Sequence, residues 1–255
     1  MHLLKLAVAC VSIVLATSVS ATNTLVIGAR DASLPLTELT ATGAFTTVAG
    51  RTTDQGLTLA ELSAYDSVLV YSNSTPYDSS GLGNLLKQYV DAGGIVVLST
   101  YGLSSSWAVT GGIQDAGYSP FDVNGSTDVT GSLSLVVPSD PIFNGVNLGA
   151  VSFFHNSNYA NPTLDSGATL LATDGNGVAM IAVNSNRNVY GFNIFPGSGF
   201  GTSQETYKVF ANALSSSAIR SVPEPATWAM MLLGFAGIGL TMRRKQRSAP
   251  LYQLT

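Results

Sequence analysis

The C-terminal segment of this chain restricts its fate more than any other stretch. A Pro-Glu-Pro sequence at residues 223–225 precedes 17 uncharged residues, 226–242. Each proline fixes its own φ and biases the residue before it toward extended backbone, so a helix can start only after this sequence. As a helix, the uncharged segment would span about 25 Å, the short side of a bilayer core. The pattern predicts a transmembrane helix over residues 226–242.

The flanking residues orient this predicted helix. Trp228 lies near its start, where tryptophan suits the level of the lipid headgroups. A basic cluster after its end favours a cytoplasmic location for that end. The cluster consists of Arg243, Arg244, Lys245 and Arg247. Taken alone, these features also fit a plain C-terminal membrane anchor.

The order of Pro223, Glu224 and Pro225, an apolar helix and an Arg-rich end resembles the PEP-CTERM sorting signal of Gram-negative bacteria. The same segment is also known as the ice-binding protein C-terminal domain. The resemblance implies that exosortase, a membrane-embedded processing enzyme, cuts the tail near the Pro-Glu-Pro motif. It implies transient passage through the inner membrane, then the cell surface, outer envelope or extracellular space. The predicted signal covers residues 222–247, and residues 248–255 form a short tail.

Residues 1–21 predict a second address at the other end. Lys5 charges a short leading region, residues 6–15 are apolar except for Ser12, and residues 19–21 are small. This is the pattern of a secretory signal peptide. We expect signal peptidase to cleave after Ala21. An uncleaved N-terminal helix is the alternative, which the short apolar run disfavours.

The composition of the intervening body excludes several functions. The only cysteine, Cys10, lies in the predicted signal peptide, so the mature chain would have neither a disulfide nor a thiol nucleophile. Residues 22–220 carry six basic and 14 acidic side chains, a net charge of −8. Nucleic-acid binding is disfavoured, because Lys and Arg supply most of the affinity for phosphates.

The first half of the body predicts alternating strands and helices in one α/β domain, residues 22–216. Almost continuously apolar runs predict buried strands at residues 67–71 and 95–99. Leucine and tyrosine recur at helical spacing between them, with Ser79 or Ser80 as the N-cap and Gly93 as the left-handed C-terminal cap. A strand, helix and strand of this length form a right-handed crossover with parallel strands. Further predicted elements are strands at 24–28 and 45–48 and a short helix at 57–62 capped by Thr58.

The second half predicts an antiparallel extension. Alternation or β-rich composition marks five strands, at 129–137, 151–154, 168–173, 178–183 and 188–194. Residues 174–177 and 184–187 have the composition of hairpin turns. A helix over residues 203–214 closes the domain, and residues 217–221 link it to the tail.

Three stretches of the body resemble the class I glutamine amidotransferase-like, flavodoxin-like superfamily. They are a Tyr-Asp strand followed by a helix, an Ala-Gly-Gly turn and a strand (residues 62–102), SDPIFNGV (139–146) and YGFNIFPGSGF (190–200). The resemblance implies a flavodoxin-like parallel sheet with helices on both faces. In catalytic members a cysteine follows the strand that corresponds to residues 95–99. Here that turn reads Thr100-Tyr101-Gly102-Leu103, so amidotransferase chemistry is excluded.

Few residues remain as candidates for chemistry. His155 is the only histidine after the predicted cleavage, so any Ser-His-Asp triad must use it as the base. A hydrogen-bonded histidine at a strand end is the alternative interpretation. Asp122 and Asp174 each begin an Asp-x-Asn-Gly sequence that resembles a calcium loop but lacks the remaining EF-hand ligands, so turns are expected. We expect no metal site and no cofactor.

These observations predict a noncatalytic exported protein whose body binds polysaccharide or another protein. The alternative is a secreted hydrolase that uses His155 with a nearby Ser and Asp. Ice binding is disfavoured, since the body lacks regular Thr-x-Thr repeats. The aromatic residues Trp107, Tyr118 and Phe121 are expected to pack rather than to form a ligand platform.

Overall fold

A computed structural model of the protein describes residues 22–103, 107–122, 125–155, 159–197 and 201–216. The helices are α1 (Ser33–Ala41), α2 (Leu59–Leu62), α3 (Ser79–Asp91) and α4 (Gln204–Leu214). The longer strands are β1 (Asn23–Ala29), β2 (Thr47–Arg51), β3 (Ser67–Ser72), β4 (Ile95–Ser99), β10 (Thr169–Thr173), β11 (Ala179–Val183) and β12 (Val189–Phe192). The two-residue strands are β5 (Phe121–Asp122), β6 (Ser126–Thr127), β7 (Ser134–Leu135), β8 (Tyr159–Ala160) and β9 (Thr163–Leu164).

One mixed sheet organises the domain. Its strand order is β2-β1-β3-β4-β12-β11-β10-β7. The strands from β2 to β12 run parallel, and those from β12 to β7 run antiparallel. The parallel half has the 2-1-3-4-5 order of flavodoxin-like folds. The predicted parallel core, crossover unit and antiparallel extension are therefore confirmed.

Side chains of each central strand alternate between two cores. Leu69 of β3 faces the core that includes Leu39 of α1 and Phe210 of α4. Its neighbour Val68 faces the core that includes Leu86 of α3. Burying each such side chain contributes about 1.5–3 kcal/mol, so the sheet needs helices on both faces to remove its apolar surface from water.

Helix α3 follows the predicted pattern except at its start. Leu82, Leu86 and Tyr89 are buried, and Gly93 has a left-handed φ of +98° after the helix ends. The predicted caps Ser79 and Ser80 are wrong. Asp78 caps the helix instead, because its carboxylate accepts the Gly81 N–H at 2.8 Å. Ser79 donates its hydroxyl to the Ala108 carbonyl at 2.5 Å.

Two predicted strands are wrong. The alternation over residues 129–137 yields only β7, because Gly131 turns the backbone with a φ of +77° and Asp174 binds the Thr130 N–H. Residues 151–154 form no strand, since the Ser203 hydroxyl accepts the Ser152 N–H at 3.0 Å. Helix α1 was not predicted, and the second strand extends to Arg51 rather than ending at residue 48.

No helix among the residues that the structure describes is long and apolar enough to cross a membrane. The predicted helix at 226–242, the linker at 217–221 and the predicted signal peptide lie outside the described residues.

Candidate functional site

The carboxyl edge of the parallel strands is the place where this architecture binds ligands. The chain passes from β1 to β2 on one side, and β3 pairs with the other side of β1. This reversal makes a topological switch point between β1 and β3, and ligands of open α/β sheets bind outside such points. The loops after β2, β3, β4 and β12 all end at this edge.

The turn after β4 occupies the position of the amidotransferase cysteine. Thr100 is fully buried and donates its hydroxyl to the side-chain oxygen of Asn193 at 2.8 Å. Ser99 is also fully buried and donates to the Ile194 carbonyl. Both hydroxyls thus hold β4 against the segment after β12. Neither side chain is exposed toward a substrate.

An aromatic cluster fills the space beyond this turn. We call it the aromatic plug, and it consists of Tyr71, Tyr101, Trp107, Tyr159 and Phe195. The Tyr101 ring lies at its centre, with centroid distances of 5.4 Å to Trp107, 6.0 Å to Tyr159 and 5.5 Å to Phe195. Burial raises the pKa of Tyr159 far above its usual value, so its phenol stays neutral. Side chains occupy the space above β4 and β12, where catalytic relatives have their reactive thiol.

The other two aromatic residues also pack, as the sequence predicts. Phe121 is fully buried and lies directly over Gly191, where a Cβ would approach its ring to 2.5 Å. The Tyr118 ring lies 4.8 Å from the Lys87 ammonium, and its hydroxyl donates to Asp91 at 2.6 Å. This pairing fixes the turn containing Tyr118 against α3.

His155 lies at the end of an extended segment and is exposed. Within the described ranges, no serine or carboxylate is hydrogen-bonded to its ring. The interpretation as a hydrogen-bonded histidine at a strand end is wrong in its strand, because residues 151–155 pair with no other strand. The Ser-His-Asp arrangement of the alternative hypothesis is therefore not assembled among the described residues.

Asp174 explains one of the two calcium-like sequences. Its carboxylate is 1% exposed and accepts N–H bonds from Thr130 at 2.9 Å and from Asn176 and Val178 at 2.8 Å. Three backbone donors already satisfy it, so it closes the hairpin between β10 and β11 as a turn residue. The described part of the chain holds no group of three or more metal-ligating side chains.

A cleft at the carboxyl edge was not predicted. It encloses about 280 Å³ between the loop after β2 and the start of α3. The carboxylate of Asp54 accepts the N–H groups of Tyr77 and Asp78 at 2.7 and 2.8 Å and so fixes the loop before α3. Tyr77 is 70% exposed. One sequence signal was available, since Tyr77 is a lone aromatic residue in the polar stretch TPYDSSG.

The residues of the predicted sorting signal and the cleavage residue Ala21 lie outside the described residues. The comparison with family models addresses the tail directly. The model described as the PEP-CTERM protein-sorting motif matches residues 221–245. The chain carries a PEP-CTERM sorting motif. The PEP-CTERM motif indicates an exported protein that transits the membrane and is sorted to the cell surface by exosortase.

Solved structures resemble the body. A protein assigned provisionally as a component of GMP synthase from Thermoplasma acidophilum is 12% identical, with a TM-score of 0.52 over 77% of this chain and 96% of its own. A ThuA-like protein from Bacteroides uniformis is 13% identical, with a TM-score of 0.49 over 76% and 91%. A glutamine amidotransferase from Methylobacillus flagellatus is 13% identical, with a TM-score of 0.48 over 79% and 95%.

At such identities the likeness concerns the fold alone, and function must be argued from the site. The first of these structures agrees with the predicted amidotransferase-like fold of the body. The comparison with curated proteins gave no match.

Proposed function

We propose that this chain is an exported bacterial surface or extracellular-matrix protein that exosortase cleaves near Pro223-Glu224-Pro225. Its body is noncatalytic and binds polysaccharide or protein. The single observation that carries the proposal is the sorting motif at residues 221–245. Signal peptidase removes residues 1–21, and the uncharged segment holds the chain in the inner membrane until exosortase acts.

The noncatalytic role of the body draws support from the carboxyl edge. Thr100 stands where catalytic relatives have a cysteine, and its hydroxyl is buried and hydrogen-bonded. The aromatic plug occupies the adjoining space. An exposed His155 with no Ser or Asp bonded to it among the described residues gives the hydrolase alternative no geometric support.

Intact-mass measurement on protein purified from the native host tests the sorting. With exosortase present, the mass should correspond to a chain that starts at Thr22 and ends near the Pro-Glu-Pro motif. Without exosortase, the C-terminal segment should remain. Glu224→Gln and Pro225→Ala should impair processing, whereas Pro250→Ala, outside the motif, should not. A tail retained in both hosts would refute the proposal.

The noncatalytic assignment has its own test. Wild type and His155→Ala are assayed against a panel of ester, glycoside and amide substrates. We expect no turnover from either protein. A turnover that disappears in His155→Ala would establish the hydrolase instead.

A further inference from the structure

We infer that the cleft beside Tyr77 is a binding site for a neutral polysaccharide. The inference rests on the proposed function and deepens it, since it assigns a place and a ligand class to the body. The cleft lies at the carboxyl edge of the sheet, beside the switch point between β1 and β3. Its volume of about 280 Å³ is near the lower limit of small-ligand pockets, about 300 Å³.

Tyr77 supplies an aromatic surface at the mouth of the cleft. Its ring is 70% exposed, the largest exposure of any large hydrophobic side chain among the described residues. A tyrosine ring offers a large apolar face with a polar hydroxyl at its edge, and it loses little conformational entropy on binding. The apolar C–H face of a sugar ring and its equatorial hydroxyls match these two features.

The loop that carries Tyr77 is held in place before any ligand arrives. Both oxygens of Asp54 bind consecutive backbone N–H groups, those of Tyr77 and Asp78. Pro76 is buried and fixes the backbone on the other side of the ring. A fixed loop lowers the entropy cost of binding, so the ring serves as a preformed platform.

Free amide groups complete the cleft. Asn84 and Gln88 are one helical turn apart on α3, and both are exposed. The side-chain oxygen of Asn84 accepts the Gly112 N–H at 2.7 Å, which leaves its amide N–H₂ group for a ligand. The Gln88 amide forms no hydrogen bond with any residue in the described ranges. Both groups lie on the helix face beside Leu85, and they can exchange water for sugar hydroxyls.

Charge selects the kind of polysaccharide. Asp54 and Asp78 line the cleft, and no lysine or arginine of the described segments does. An anionic chain such as a polyuronate would place its carboxylates near these side chains without a compensating cation, which costs free energy. The cleft therefore favours neutral hexose and pentose polymers over anionic ones.

Affinity gel electrophoresis of the full chain tests the inference. The chain is purified in a detergent without a sugar headgroup, because a maltoside or glucoside would compete. The gels contain dextran, galactomannan or xyloglucan, with alginate as the anionic comparison. We expect at least one neutral polymer to retard the wild type and alginate not to do so. Tyr77→Ala should weaken the retardation about tenfold, whereas Tyr77→Trp should keep it.

Matched variants separate the site from general effects on the fold. Gln88→Ala should weaken binding about threefold through loss of one hydrogen bond. Leu148→Ala, which shortens another exposed apolar side chain, should bind like the wild type. Thermal unfolding of Tyr77→Ala should match that of the wild type, because the ring is mostly exposed.

Three outcomes would overturn the inference. If a neutral polymer binds wild type and Tyr77→Ala equally, the body binds polysaccharide at another place. If alginate binds more strongly than every neutral polymer, the charge argument is wrong. If no polymer binds, the body has a different ligand, a protein among them. In each case the intact-mass experiment decides independently whether exosortase sorts the chain.

Discussion

The hydroxyl of Thr100 donates a 2.8 Å hydrogen bond to the side-chain oxygen of Asn193, and both side chains are fully buried. Thr100 follows β4, and Asn193 follows β12, its parallel neighbour. The amide nitrogen of Asn193 also donates to the Ala160 carbonyl at 2.8 Å. One side chain therefore connects three segments at the carboxyl edge that are distant in sequence.

Removal of the Asn193 amide should destabilise the body strongly. In Asn193→Ala, the Thr100 hydroxyl and the Ala160 carbonyl lose their partner in a buried environment, at about 1–3 kcal/mol for each group. We expect a loss of about 3 kcal/mol in the free energy of unfolding, measured by urea denaturation. Thr100→Val should cost about 1 kcal/mol, while Thr100→Ser keeps the hydroxyl. Equal stability of Asn193→Ala and wild type would contradict this role.

Asp174 should be far more sensitive to substitution than Asp122, although both begin an Asp-x-Asn-Gly sequence. Asp174→Asn places an amide N–H₂ group where the carboxylate accepts backbone N–H bonds, and we expect a loss of about 2 kcal/mol. Asp122 is exposed, so Asp122→Asn should change stability by no more than about 0.5 kcal/mol. Urea denaturation of the two variants measures the difference. Similar values would show that the backbone contacts of Asp174 contribute little.

Gly83 permits close contact between α3 and the backbone before the 3-10 turn Gly111–Gln114. A Cβ at this position would lie 1.6 Å from the Thr110 carbonyl oxygen. Alanine favours a helix interior by up to about 1 kcal/mol, but the clash forces α3 away from its neighbour. Gly83→Ala should therefore lose about 2–3 kcal/mol, seen as a lower thermal midpoint.

Gly149→Ala is the matched control for Gly83→Ala. The nearest atom to a Cβ at position 149 lies at 3.6 Å, an ordinary contact. Its thermal midpoint should match that of the wild type. A Gly83→Ala variant as stable as Gly149→Ala would show that α3 has room to shift.

Glu205 should make part of the stability depend on pH. The hydrogen bond from Lys208, followed by that from the Asn147 N–H, lowers the pKa of Glu205 below its ordinary value of 4.5. A lowered folded-state pKa stabilises the protein above the unfolded-state value, and this stabilisation is lost as pH falls through the folded-state value.

Thermal midpoints of wild type and Glu205→Gln should therefore differ at neutral pH and converge in acid. Lys208→Met should return the pKa of Glu205 toward its ordinary value, as measured by the pH dependence of its NMR chemical shift. A constant gap between wild type and Glu205→Gln at all pH values would rule out an ionic origin.

Sequence periodicity predicted the central elements well where the pattern was dense. Strands β3 and β4 are continuous apolar runs, and α3 repeats leucine and tyrosine at helical spacing, so local patterning and burial agree. Helix α1 lacks such a pattern, because Pro35 and Leu39 are its only buried residues. Its helical state depends on packing against α4 and β2, which no local pattern encodes.

The false strand at 129–137 has a similar cause. Its alternation is genuine, but a distant carboxylate binds the Thr130 N–H, and Gly131 reverses the chain. Side-chain partners far away in sequence thus overrode local propensity. The cleft beside Tyr77 could not be predicted for the same reason, since Asp54 and Tyr77 meet only once β2 and β3 lie in one sheet.

By itself, the sequence determined the sorting motif at 221–245, the absence of a cysteine from the body and the parallel core, because each is encoded in contiguous residues or regular spacing. Only the tertiary structure decided that Thr100 is buried against Asn193, that aromatic side chains occupy the space beyond it and that His155 is exposed. These facts depend on contacts between segments many residues apart. Such contacts arise when apolar faces are buried together and the buried polar groups must find partners.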